Sequence, residues 1–101
     1  MRFVEGCPNV AIARQRLDLA LDAVGRGGVD IRLRVVRTDA EAAKLGFTGS
    51  PTILINGSDP FVHSNAIAGL SCRLYSTAEG LAGSPSVQQL TAALAARTKH
   101  E

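Results

Sequence analysis

Tryptophan is absent from this chain, and three Phe and one Tyr are its only aromatic residues, so a core must be built from Leu, Val, Ile and Ala. No apolar run approaches the ~18–20 residues of a membrane-spanning helix, so no membrane partner is expected. No charged-then-apolar leader opens the sequence, which makes the cytoplasm the expected compartment. Two cysteines are too few for a disulfide scaffold, and in a reducing compartment each reads as a free thiol. Charge of one sign is equally scarce, with 11 Lys and Arg against 9 Asp and Glu. Arg32, Arg34 and Arg37 are the one local basic cluster. They interleave with Ile31, Leu33 and Val35, which reads as the solvated side of a strand and not as a nucleic-acid groove.

What remains is enough for a folded unit. At 101 residues, 46% hydrophobic and 20% charged, the chain is one domain, residues 1–101, able to bury a core. Arg2 to Glu5 is a short apolar run stopped by Gly6. From Pro8 to Val24 the apolar residues Val10, Ala13, Leu17, Ala20, Leu21 and Val24 recur at helical spacing. Pro8 suits the first helical position, which puts Cys7 at the cap. Asp30 to Arg37 alternates as a half-buried strand. Thr38 and Glu41 form a capping box for a short helix through Ala42, Ala43 and Leu45, closed by Gly46. Pro51 to Ile55 is an apolar strand, and Asn56-Gly57 after it signals a tight hairpin with an antiparallel partner. Residues 58 to 83 carry weaker signals, with Ser71 to Ser76 read as a strand, and Ser84-Pro85 opens a last helix bearing Val87, Leu90 and Leu94. The expected fold class is α/β: a small mixed four-stranded sheet flanked by three helices, in the order βαβαββα.

With Cys7 at the start of the first helix and Ser50-Pro51-Thr52 opening the third strand, the chain resembles the thioredoxin-like superfamily. The resemblance runs from Arg2 to the last helix. It implies a thioredoxin-like fold, a reactive thiol at Cys7, and a cis peptide bond before Pro51 facing that thiol. It also implies that the backbone beside Pro51 pairs with an extended substrate, making Ser50, Pro51 and Thr52 substrate-binding positions together with Pro8 and Asn9 next to the thiol, where Asn9 either helps the cap or touches the substrate. The family's Cys-x-x-Cys motif is here Cys7-Pro8-Asn9-Val10. Val10 stands where a resolving cysteine would be, so exchange within the motif is excluded. A looser resemblance runs to small alkylmercury-lyase-like proteins, through residues 6–9, 50–52, 59–61 and 72–75.

A thiol at a helix N-terminus feels the positive end of the helix dipole and unpaired N–H groups, both of which favour the thiolate. The expected activity is monothiol-type thiol–disulfide exchange, or mixed-disulfide formation, through Cys7. No cofactor is expected, with glutathione or another thiol as co-substrate and a thiol-containing small molecule or protein as partner. The alternatives are soft-metal or organomercurial binding by Cys7 and Cys72, with Asp59 as proton carrier and His63 as a further ligand, and a non-catalytic interaction module. Cys72 divides these readings. Were residues 71–76 antiparallel to the third strand, five residues at ~3.3 Å each would leave Cys72 roughly 15 Å from Cys7. Were the fourth strand near residues 61–63, Cys72 would fall in a later loop over Cys7. The first placement is preferred, and it also sets Arg73 and Tyr75 on an exposed strand face, where Arg73 meets solvent or an anionic substrate.

Overall fold

The computed structural model describes residues 1–61 and 68–97. It is a small α/β protein with three helices and two small sheets among the described residues. The first helix, α1, runs Asn9–Ala23 and turns Ala13, Leu17, Ala20 and Leu21 inward. Its end is closed by paired bonds: Gly25 N–H donates to Asp22 O at 3.1 Å, and Arg26 N–H donates to Leu21 O at 2.7 Å. This is the 5→2 and 6→1 pattern of a Schellman motif. Its start lies one residue later than the sequence implies. Pro8 is the N-cap, and Cys7 precedes it, its carbonyl accepting from Val10 N–H at 3.4 Å.

The second helix, α2, runs Asp39–Leu45, and Thr38 Oγ1 accepts from Glu41 N–H at 3.1 Å. Glu41 Oε1 reaches back to Arg37 N–H at 2.8 Å, one residue beyond the usual capping-box partner. That bond, more than the nearby Arg34, holds the Glu41 carboxyl below its ordinary range. The last helix, α3, runs Val87–Arg97. Its cap is a reciprocal pair, Gln89 N–H to Ser86 Oγ at 3.1 Å and Ser86 N–H to Gln89 Oε1 at 2.9 Å. Leu90 and Leu94 join Leu17, Ala20, Leu21, Ile53 and Ile55 in the main core. A smaller cluster of Val36, Ala42 and Phe47 closes the other side under Val4 and Leu45.

The strands are shorter than their apolar runs. β1 (Arg2–Phe3) pairs in parallel with β2 (Arg34–Val35). On the other side of β1, Arg2 and Thr52 form an isolated antiparallel bridge. Asn56 and Gly57 turn with φ of 53° and 82°, the two left-handed positions of a type I′ turn, and Ile55 bridges Ser58. There the expected ladder stops. Asp59 Oδ1 accepts from Phe61 N–H at 2.8 Å, and Pro60 has no N–H to give, so the chain is diverted at Asp59–Phe61. The regular hairpin lies later, β3 (Tyr75–Thr77) antiparallel to β4 (Gly80–Ala82). The order of element types thus matches βαβαββα, but the last two strands are not the expected ones. Among the described residues the expected four-stranded sheet is replaced by two two-stranded sheets joined through single bridges, and the alternative fourth-strand position near residues 61–63 lies mostly outside them. Leu33, expected inside, is exposed. Among the described residues, no helix is long and apolar enough to cross a membrane.

Candidate functional site

Cys7 closes a tight turn that follows β1: its N–H donates to Val4 O at 3.1 Å, with Gly6 at φ 81°. The thiol is free and half-buried, and Pro8 beside it is exposed. Asn9 turns its amide onto Gly83, where an added Cβ would stand 2.7 Å from Asn9 Oδ1. Its side chain therefore packs between the start of α1 and the segment leading into α3. The turn is tied to the rest of the site by one bond, from Val4 N–H to Ser50 Oγ at 3.0 Å.

The peptide bond between Ser50 and Pro51 is cis. Ser50 is 1% exposed, and each of its polar groups is engaged within the chain. Its N–H donates to Ser71 O at 2.8 Å, and its carbonyl accepts from Arg73 N–H at 3.0 Å. This is a parallel bridge between Ser50 and Cys72. The antiparallel placement that put Cys72 far from the proline loop is thereby corrected: Cys72 lies directly beside it, exposed and free. The same bridge corrects the role expected for Ser50. The backbone groups meant for an extended substrate are taken by the chain's own residues 71–73. Pro51 and Thr52 are likewise buried, with Thr52 Oγ1 donating to Gly49 O at 2.6 Å.

Residues 71–73 are held there by a buried polar cluster. Arg73 is 6% exposed. Its Nη1 bonds Asp59 Oδ2 at 2.5 Å and its Nη2 bonds Phe61 O at 2.7 Å. The guanidinium also lies 4.6 Å from the Tyr75 ring centroid, a cation–π distance, and Phe61 meets that ring edge-on at 5.7 Å. The Tyr75 hydroxyl donates to Pro51 O. Burial raises the Tyr75 pKa far above its ordinary value, Arg73 opposes this, and the Asp59 carboxylate adds to it. Gly49 completes the seat: at φ 133° its missing Cβ would stand 2.9 Å from Arg73 Cβ, so only glycine lets the two segments approach.

Arg73 and Tyr75 thus face inward, contrary to the exposed face expected of them, and Leu74 is 61% exposed instead. The Asp59 carboxylate, expected as a proton carrier, is engaged by Arg73 and by Phe61 N–H. His63 lies outside the described residues. No three His, Cys, Asp or Glu side chains converge as a metal site among the described residues. Sequence reasoning missed the Arg73–Asp59–Tyr75 cluster. Its one available signal was the alternation Cys72-Arg73-Leu74-Tyr75, read with the wrong face inward.

Compared with protein-family models, curated proteins and solved structures, the chain matches none.

Proposed function

We propose that this chain is a thioredoxin-like thiol protein in which Cys7 exchanges with the disulfides of glutathione, of similar small thiols, or of proteins. The Cys7 thiolate attacks one sulfur of a disulfide RSSR. The new bond joins Cys7 to SR, and the other half leaves as the thiolate RS⁻. A second thiolate R′S⁻ then attacks the SR sulfur, releasing the Cys7 thiolate and RSSR′. Val10 removes the in-motif resolving group, so this second thiol comes from solution.

The observation that carries the reading is the hydrogen-bonded path from the Cys7 turn through Val4 and Ser50 to Cys72. It ties a half-buried thiol before a helix to the proline loop, beside which the paired segment 71–73 carries a second, exposed thiol. Attachment of both thiol-bearing segments to one loop supports a mixed-disulfide site with Cys72 at its border. The organomercurial reading is less well supported, since its proton carrier, Asp59, is paired with Arg73.

Glutathione disulfide added to Cys72→Ser and to Cys7→Ser, followed by intact mass, tests this. The expected result is rapid addition of one glutathione to Cys7 and slower addition to Cys72. Equal rates at the two thiols, or no adduct at Cys7, would overturn the proposal. In the unsubstituted chain, loss of two hydrogens instead of an adduct would identify Cys72 as the resolving thiol and remove the need for one from solution.

A further inference from the structure

A cavity of about 760 Å³ with an apolar floor opens at the end of β1 away from Cys7. That volume is within the range of small-molecule sites. Its floor is core: Leu17 and Leu21 of α1, Leu94 of α3, and Ile53 and Ile55 are all buried and all line it. Its rim is cationic, with Arg2, Arg26, Arg32 and Arg34 against the single carboxylate of Asp30. Arg34 shares its charge with Glu41 at 3.5 Å, and Arg2 donates to Leu45 O at 3.2 Å. The Arg32 side chain has no hydrogen-bond or ion-pair partner among the described residues. Among the described residues no aromatic side chain lines the cavity. Aliphatic floor and arginine rim together call for a ligand with an alkyl body and one anionic head.

We propose that this cavity binds a single-chain aliphatic carboxylate, the alkyl chain covering Leu17, Leu21, Ile53 and Leu94 and the carboxylate meeting Arg32. The proposal does not depend on the chemistry of Cys7.

Calorimetric titration of the full chain with dodecanoate, octanoate, dodecyltrimethylammonium and a short acidic peptide tests it. Dodecanoate binds at one site, octanoate binds more weakly by roughly fourfold for each methylene lost, and the ammonium compound does not compete. Arg32→Glu weakens dodecanoate about tenfold or more, as does Val29→Asp at the exposed rim. Arg14→Glu, on α1 but outside the lining, leaves it unchanged. Four results would each overturn the proposal: equal binding of the cationic amphiphile, no dependence on chain length, indifference to both rim variants, or an acidic peptide binding more tightly than dodecanoate.

Discussion

The turn that carries Cys7 and the loop that carries Ser50 lie in bonded contact, yet they are built on opposite principles. Around Ser50 a buried guanidinium, phenol and threonine hydroxyl are packed with a half-buried carboxylate, and each has its partner. Such a network is costly to break, because the group left behind stays in a low-dielectric setting. The Cys7 turn has two backbone bonds, from the Cys7 N–H to Val4 O and from Val10 N–H to the Cys7 carbonyl, and one tie to Ser50. The Glu5–Arg37 ion pair beside it, at 3.1 Å, is open to solvent on both sides. Residue type alone would place function in the charged cluster. Satisfaction of its groups assigns it to architecture and leaves the lightly held turn with the free, half-buried thiol of Cys7.

The largest effect that would break this contrast is expected at Arg73. Arg73→Met strands the Asp59 carboxylate and is expected to cost about 3–5 kcal/mol in urea unfolding. Replacing both, as Arg73→Met with Asp59→Leu, should recover most of that loss. A single variant as stable as the parent would show the cluster to be incidental.

A smaller change is expected at Tyr75. Tyr75→Phe removes the bond to Pro51 O and should cost about 0.5–1.5 kcal/mol at neutral pH. The effect then changes with pH. Burial raises the Tyr75 pKa above its ordinary value of 10.0, so the folded chain keeps a proton that the unfolded chain loses. Its contribution is full below that value and falls as pH rises beyond it. Urea titrations in the alkaline range should therefore show a steeper decline for the parent than for Tyr75→Phe. Parallel declines would contradict the burial.

The smallest effect is expected on the exposed side. Glu5→Ala breaks the Arg37 pair and should change stability by no more than about 0.5 kcal/mol, less in high salt. A thermal scan showing a large loss would mean that the Cys7 turn is held more firmly than its contacts indicate.

Local signals in the sequence were legible and distant ones were not. The spacing of Leu17, Ala20 and Leu21, the Thr38–Glu41 cap and the Asn56-Gly57 turn are set within a few residues, and each appears in place. The direction of residues 71–73 was not readable, because it is fixed by Asp59, 14 residues before Arg73. An arginine in an apolar alternation is ordinarily turned to water. Here the Asp59 carboxylate that holds Arg73 reverses that, sending Leu74 out and Arg73 in. The same reversal moved Cys72 from the far end of an imagined ladder to the edge of the proline loop, so the relation between the two thiols was the least legible part of the site.

Residue-resolved hydrogen exchange compares the two regions directly. The Ser50 and Arg73 amides, bonded to each other's segments, should exchange among the slowest. The Glu5 and Gly6 amides, with no acceptor among the described residues, should exchange among the fastest. Equal, fast exchange at all four would contradict both the parallel pairing beside Pro51 and the assignment of Cys7 to the lightly held side of the site.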